Sequence, residues 1–211
     1  MSNSQIHAYY EKMAARIKSP IETRNKAKDF SKFDIEFMLG YADEQKRLLD
    51  LGAGSGLLVN SLIGRFNHIH AVEKYDNFSQ FIERDPTVTV TSEDVLSFDT
   101  SDTYDIVSAF GLMNFFSEDE AALLYGRMYK FTTDKGLTVV KHQMGLNETV
   151  VVDGFSEELQ QPYYSEYRHM EVEKALLLKA GFSKVEVFDI YPAEYNRWDN
   201  THFYALVATK A

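Results

Sequence analysis

The spacing of hydrophobic positions along the chain changes near residue 45. Before that point, apolar side chains recur every three or four residues, which predicts two helices separated by Ser19-Pro20. The apolar faces carry Ile6, Tyr9, Tyr10, Met13 and Ile17 in the first helix, and Phe30, Phe33, Phe37 and Tyr41 in the second.

Beyond residue 45, short apolar or β-branched runs alternate with helical patterns. Ser117 and Glu120 form a capping box that opens one helix, and Gly181 ends another in a position that favours a left-handed residue. The segment from Gly145 to Ser165 is less regular. Strands are predicted over residues 47–51, 68–73, 87–91, 104–110, 136–142, 184–190 and 203–209, and helices over 57–66, 76–84, 117–131 and 167–180.

Strands that alternate with helices predict an α/β fold, with a mostly parallel sheet covered by helices on both faces. The last two strands are joined by about a dozen residues without a helical pattern, which is long for a hairpin. We therefore expect the last strand to be antiparallel and to lie at or near an edge of the sheet. We interpret residues 1–211 as a single domain in which residues 1–44 form an N-terminal helical cap.

Composition excludes several classes of protein. An apolar content of 45% in 211 residues is ordinary for a folded globular chain, and the absence of cysteine excludes disulfides, thiolate nucleophiles and cysteine-based zinc sites. The net charge of −10 argues against nucleic-acid binding and against docking on an anionic membrane. The sequence has no apolar stretch of membrane-spanning length and no secretory signal pattern, so we expect a cytoplasmic protein.

Three glycines follow the first predicted strand, in Leu48-Leu49-Asp50-Leu51-Gly52-Ala53-Gly54-Ser55-Gly56. Glycine permits a tight turn and close backbone approach to a ligand, and the helix behind the loop offers free N–H groups. A dinucleotide-binding loop would have its third glycine at the position of Leu57, so the spacing disfavours that ligand. Asp50, a carboxylate at the end of the strand, can instead organise the loop and meet a cation.

The segment Leu48–Gly56 resembles motif I of the class I S-adenosylmethionine-dependent methyltransferases, and further landmarks follow in order over residues 45–143. Glu73 ends the second strand, Glu93-Asp94-Val95 follows the third, and Tyr104-Asp105 opens the fourth. The resemblance implies a three-layer Rossmann-like methyltransferase fold with a seven-stranded sheet and an antiparallel last strand. It also implies that Glu73 accepts hydrogen bonds from both ribose hydroxyls and that Asp94 lies near the adenine amino group.

The cofactor implied by the resemblance is S-adenosyl-L-methionine, which leaves S-adenosyl-L-homocysteine as product. For the acidic residues the alternative is a solvated carboxylate at the end of a strand, and for Lys74 a plain surface charge. The residues expected to bind the cofactor are Asp50, Gly52, Ala53, Gly54, Gly56, Glu73, Lys74, Asp94, Val95 and Phe110.

Methyl transfer from a sulfonium needs little from the enzyme beyond positioning the acceptor and excluding water. A general base is needed only if the nucleophile has a proton to lose. His142, at the end of the fifth strand, is the candidate base, with a strand-end hydrogen-bond network as the alternative. Asn114 follows the fourth strand, where many small-molecule methyltransferases have histidine; it can orient an acceptor but cannot act as a base.

Residues 145–167 are interpreted as an insertion that forms a lid over the acceptor. Tyrosines in the cap and the lid could hold a cationic amine by cation–π contact, which favours N-methylation. Arg168 and Arg197 would pair with an acidic acceptor, which favours O-methylation. The alternatives are core packing for the tyrosines and a solvated face for the arginine. Together with Asn114, the acceptor-site candidates are Tyr9, Tyr10, Tyr164, Arg168 and Trp198.

The sequence therefore predicts a methyltransferase that acts on an oxygen or nitrogen atom of a small molecule without a metal ion, as a monomer or homodimer. Two alternatives remain open. One is a non-catalytic module that binds the cofactor or its product and acts through a protein partner; such a module would lack an open acceptor cavity. The other is a nicotinamide oxidoreductase, which Leu57 disfavours.

Overall fold

The computed structural model describes residues 4–23, 31–157, 160–196 and 198–211. Phe30 and Arg197 of the sequence analysis lie outside the described residues. Six α-helices are described: α1 (Ser4–Ala14), α2 (Ser31–Leu39), α3 (Leu57–Leu62), α4 (Asp76–Ser79), α5 (Glu118–Phe131) and α6 (Met170–Ala180). The described strands are β1 (Asp43–Leu51), β2 (Phe66–Val72), β3 (Val88–Thr91), β4 (Tyr104–Phe110), β5 (Thr132–Gly145), β6 (Val150–Ser156), β7 (Gln161–Tyr167), β8 (Lys184–Asp189) and β9 (Thr201–Thr209). Short 3-10 turns cover Pro20–Thr23, Met113–Phe115 and Ala193–Tyr195.

Seven strands form one sheet in the order β3-β2-β1-β4-β5-β9-β8. The pairs from β3 across to β5 are parallel, whereas β9 is antiparallel to both of its neighbours. The mostly parallel sheet with an antiparallel last strand is confirmed, and β9 lies one strand in from the edge formed by β8. Because parallel strands end at the same side of a sheet, the segments that follow β1, β2, β3 and β4 converge at one edge.

Side chains alternate between the two faces of the sheet, and each face has its own core. On one face Leu49 and Val107 pack with helices α5 and α6. On the other face Leu48, Ile69 and Ile106 pack with helices α2 and α3. This is the three-layer α/β arrangement that the sequence predicts.

Several helix and strand boundaries agree with those predicted from the sequence, and others differ. Strand β4 has the predicted bounds, and the capping box is formed, with Ser117 N–H donating to Glu120 Oε2 at 3.0 Å. Gly181 ends α6 with a left-handed φ of 118°. Helix α3 ends at Leu62, four residues early, and Gly64 then turns the chain with a left-handed φ of 75° into β2. Helix α4 covers four residues where nine were expected over 76–84.

The segment that the sequence left irregular is a hairpin. Strands β6 and β7 pair antiparallel from Val150–Tyr167 to Ser156–Gln161 and form a second, two-stranded sheet. Helix α1 packs against β7, where the rings of Tyr9 and Tyr163 lie 5.3 Å apart. Strand β7 also contacts the Met113–Phe115 turn that follows β4, so the hairpin and α1 lie together at the edge where the parallel strands end. No helix within the described ranges is long and apolar enough to cross a membrane.

Candidate functional site

The glycine loop after β1 is held against the end of β2. The N–H groups of Gly52 and Ala53 both donate to the carbonyl of Val72, at 2.8 and 3.1 Å. Gly54 N–H donates to Glu73 Oε2 at 2.9 Å. Gly56, with a left-handed φ of 75°, is the N-cap of α3, and a Cβ there would come within 2.7 Å of Ile82. The glycines thus allow a tight, closely packed turn that any other residue would strain.

This loop forms the floor of a first cavity at the edge of the sheet. Aromatic and apolar side chains form part of the wall, and four carboxylates line it, from Asp34, Asp50, Glu73 and Asp94. The predicted cofactor-site residues in its lining are Asp50, Gly52, Ala53, Gly54, Glu73, Lys74, Asp94, Val95 and Phe110. Of the predicted set, Gly56 alone does not line it and instead caps the helix behind.

Glu73 is a buried carboxylate that links the ends of two strands. Its Oε1 accepts from the N–H of Tyr75 at 2.8 Å, while Oε2 accepts from Gly54. Burial raises the pKa of Glu73, and the backbone N–H groups of Tyr75, Gly54 and Lys74 oppose that rise. A carboxylate has about four acceptor positions, so these backbone donors leave capacity for a hydroxyl donor from a ligand.

Asp50 is the second buried carboxylate of the cavity. Its Cα is in register with that of Ser108 on β4, and Ser108 Oγ donates to Asp50 Oδ1 at 2.6 Å. Burial raises the pKa of Asp50 to about 7, opposed by Ser108 and reinforced by the charges of Glu73 and Asp34. The carboxylates of this cavity thus repel one another, and a cationic ligand would relieve that repulsion.

Asp94 follows β3 and contributes a further carboxylate to the cavity wall. Its Oδ1 accepts from the N–H of Leu96 at 2.9 Å, and its Oδ2 lies 3.1 Å from Lys74 Nζ. Lys74 is therefore the ion-pair partner of Asp94 at the cavity wall.

A second cavity adjoins the first. Its wall includes helix α1, the β6–β7 hairpin, the end of β5 and the loop before β9. The cavities share five lining residues, namely Tyr10, Met13, Thr23, Gly111 and Phe115. Of the predicted acceptor-site residues, Tyr9, Tyr10, Asn114 and Trp198 line the second cavity.

The N-terminal segment is fastened over both cavities. Ser55 Oγ donates to the carbonyl of Pro20 at 2.9 Å and lies 3.2 Å from Thr23 Oγ1. The ring of Tyr10 packs 5.0 Å from that of Phe115 in an edge-to-face contact. These contacts bring the beginning of the chain onto the glycine loop and onto the segment after β4.

A buried ion pair that the sequence analysis did not identify has one partner in the lining of each cavity. Lys141 Nζ on β5 lies 3.0 Å from Asp34 Oδ2 on α2, and both side chains are 2% exposed. Tyr191 joins the pair, since its hydroxyl donates to Asp34 Oδ1 at 2.5 Å and accepts from Lys141 Nζ at 2.9 Å. A lysine inside the apolar run Val139-Val140-Lys141 was the sequence signal, because buried lysines are almost always paired.

His142 does not line either cavity, which contradicts the expectation that it is a base for the acceptor. Lys141 and Gln143 line the second cavity, so strand alternation turns His142 to the opposite face. There its Nε2 lies 3.1 Å from Glu173 Oε1, it is fully buried, and its Nδ1 has no partner among the described residues. His142 thus belongs to a buried hydrogen-bond network near the end of the strand, which was the alternative interpretation.

Arg168 is also buried away from both cavities, so the expectation that it pairs with an acceptor was wrong. Its Nε donates to Glu173 Oε1 at 2.7 Å, and its two terminal nitrogens donate to the carbonyls of Phe116 and Met113. Tyr125 donates its hydroxyl hydrogen bond to the same Glu173. Burial would raise the pKa of Glu173, but the charges of His142 and Arg168 and the hydrogen bonds outweigh it and lower the pKa to about 2.

Tyr164 lines neither cavity; its hydroxyl donates to Glu166 Oε2 at 3.3 Å. Its neighbours Tyr163 and Tyr167 line the second cavity instead, because residues on alternate positions of β7 share a face. Trp198 Nε1 donates to the hydroxyl of Tyr167 at 3.0 Å, which joins the loop before β9 to the hairpin.

Solved structures similar to this chain include S-adenosylmethionine-dependent methyltransferases, and the chain has the class I methyltransferase fold. It superposes on the structure of the DhpI–SAH complex with a TM-score of 0.76 at 13% identity, covering 99% of this chain and 98% of the other. N-methyltransferase NodS from Bradyrhizobium japonicum, in complex with S-adenosylhomocysteine, gives 0.68 at 10% identity with 99% of each chain covered. The glycopeptide N-methyltransferase MtfA gives 0.67 at 14%, covering 88% and 91%. No family model and no curated protein matches the sequence.

Proposed function

We propose that the protein binds S-adenosylmethionine in the first cavity and transfers its methyl group to a small molecule in the second. The observation that carries this proposal is the pair of adjoining cavities with five lining residues in common. A donor in one and an acceptor in the other would meet at Gly111 and Phe115, where a methyl group has only a short distance to travel.

The residues of the first cavity fit the cofactor in charge and in shape. When bound, S-adenosylmethionine supplies an electrophilic methyl group on a positively charged sulfur. Glu73 has acceptor capacity for ribose hydroxyls, and Asp50 and Asp34 offer carboxylates to the ammonium group. Tyr75 and Val95 supply apolar surface for a flat base beside Asp94.

The second cavity supports an enzyme over a non-catalytic module, because such a module has no use for an acceptor pocket. We propose that the β6–β7 hairpin, within residues 145–167, and the helical cap of residues 1–44 act as covers that exclude water from the reaction. The hairpin and α1 both line the second cavity, which supports this role. An oxidoreductase gains no support, since the glycine loop packs Leu57 where a third dinucleotide glycine would lie.

The test is calorimetric titration with S-adenosylhomocysteine, with NAD as the control ligand. We expect S-adenosylhomocysteine alone to bind. Glu73→Gln should weaken that binding roughly 10- to 100-fold, because a hydrogen bond to a charged group contributes about 1.5–3 kcal/mol.

Glu83→Gln is the matched control, since Glu83 is exposed and lies outside both cavities. It should bind S-adenosylhomocysteine as the wild type does. Binding of NAD in place of S-adenosylhomocysteine, or equal affinities of Glu73→Gln and wild type, would contradict the proposal.

A further inference from the structure

We infer that the acceptor is an anionic small molecule with a flat, apolar body, methylated on an anionic oxygen that Lys141 attracts into the second cavity. This inference rests on the proposed function, and it names the substrate class of the same site. Three observations carry it: the separation of charge between the cavities, the orientation of the ion pair, and the aromatic wall.

Charge is distributed unevenly between the two cavities. The first is lined by four carboxylates and by one cation, Lys74, which is paired with Asp94. The second has no carboxylate in its described lining, and Lys141 is its one lysine or arginine there. A cationic donor suits the first cavity, and by the same reasoning an anion suits the second.

The two partners of the buried ion pair lie in the linings of different cavities. Asp34 lines the first cavity and not the second, whereas Lys141 lines the second and not the first. The carboxylate partner thus lines the cavity proposed for the cationic cofactor, and the lysine partner lines the cavity proposed for the acceptor. Both side chains are 2% exposed, so little water screens the ammonium group.

A cationic amine, the other acceptor class left open by the sequence, fits this cavity poorly. It would have to approach the ammonium group of Lys141 without a carboxylate in the described lining to offset the repulsion. The aromatic rings nearest Lys141 already serve a cation, because Lys141 Nζ lies 5.7 Å from the ring centre of Phe203 in the lining and 4.9 Å from that of Tyr191, which is not in the lining.

Half of the other lining residues are aromatic, which favours a flat acceptor that can stack or pack edge-on. The two amides of the lining are held in place, because Asn114 donates to Ser165 Oγ and Gln143 donates to Thr201 Oγ1. The aromatic residues of the wall are Tyr9, Tyr10, Phe115, Phe155, Tyr163, Tyr167, Trp198 and Phe203.

An anionic acceptor also accounts for the lack of a histidine, aspartate or glutamate in the described lining of this cavity. An oxygen that is already an anion has no proton to lose and needs no general base. The acceptor oxygen forms a bond to the methyl carbon, the carbon–sulfur bond breaks, and its electron pair stays on sulfur. One negative and one positive charge disappear together, so the step is balanced without a further reactant.

The experiment uses the full chain saturated with S-adenosylhomocysteine and three probes that differ in charge, namely benzoate, benzamide and benzylamine. Calorimetric titration should show benzoate binding at least about tenfold more tightly than benzylamine, with benzamide between them. Benzamide controls for the shape of the ring and the planar head group.

The variant that tests Lys141 is Asp34→Asn/Lys141→Met, which removes both charges and leaves neither buried ion unpaired. It should lose the preference for benzoate over benzamide. Lys130→Met is the control for net charge, because Lys130 is exposed and lies outside both cavities. It should keep the wild-type preference.

The possible failures are distinguishable. If wild type fails to bind S-adenosylhomocysteine, the proposed function fails and this inference fails with it. If S-adenosylhomocysteine binds but benzoate does not, or if benzylamine binds as tightly as benzoate, only this inference is overturned. A double variant that keeps the wild-type preference for benzoate would likewise overturn it.

Discussion

Asp50→Asn should make the protein more stable at neutral pH while it weakens cofactor binding. The side chain is 3% exposed and accepts a hydrogen bond from Ser108 Oγ. Asparagine keeps the size of the side chain, and its oxygen can still accept that hydrogen bond. What the substitution removes is a buried negative charge beside the carboxylates of Glu73 and Asp34.

The magnitude follows from the pKa of Asp50, which burial raises from 3.8 to about 7. Between these values the unfolded chain has lost the proton that the folded protein still holds, so folding stability decreases as pH rises. The loss is about 1.4 kcal/mol per pH unit and stops once pH exceeds the folded pKa. From pH 5 to pH 8 the wild type should therefore lose about 3 kcal/mol relative to Asp50→Asn.

Urea unfolding of both proteins across that pH range measures the difference directly. Asp153→Asn, which removes one exposed carboxylate, reports the effect of net charge alone. Calorimetry with S-adenosylhomocysteine should show Asp50→Asn binding roughly 10- to 100-fold more weakly, as expected for a lost charged hydrogen bond. A stability difference that stays constant from pH 5 to pH 8 would refute the reasoning about burial.

Two further substitutions test the scaffold of the site. Arg168→Lys should cost about 3–5 kcal/mol in urea unfolding, because one ammonium group cannot reach Glu173 and two buried carbonyls together. Exposed Arg84→Lys is its control. A loss below about 1 kcal/mol would show that these three contacts of Arg168 do not stabilise the fold. Gly56→Ala should lower the melting temperature more than Gly54→Ala. Both positions have a positive φ, but only at Gly56 would the added Cβ collide with Ile82. Equal melting temperatures would show that the collision is relieved at no cost.

The sequence predicted those parts of the fold that depend on local pattern. Strand β4 and the N-terminus of α5 have strong local signals, a mostly apolar run and a capping box respectively. The β6–β7 hairpin has a weak one, because its stability comes from packing against α1, which is distant in the chain. The order of the strands in the sheet also depends on contacts between residues distant in the chain, so the sequence alone could not decide whether β9 or β8 forms the edge.

The two cavities of the candidate site also differ in how far the sequence predicts them. The lining of the first cavity follows β1 and β2 directly, so motif spacing located Asp50 and Glu73. The second cavity is assembled from segments that no motif connects. There, the alternation of side chains along β5 decides which residues reach the cavity. Lys141 lines the cavity, whereas the adjacent His142 lies in a buried hydrogen-bond network on the other face.

The position of β9 has a consequence for how the chain folds during synthesis. In the described sheet, β8 pairs only with β9, and β9 also pairs with the edge of β5 that lies away from β4. Neither β8 nor β5 can complete its hydrogen bonds until residues 201–209 have left the ribosome. The nascent chain thus exposes the edge of β5 at least throughout the translation of residues 146–200, an interval in which a chaperone or another nascent chain could pair with it.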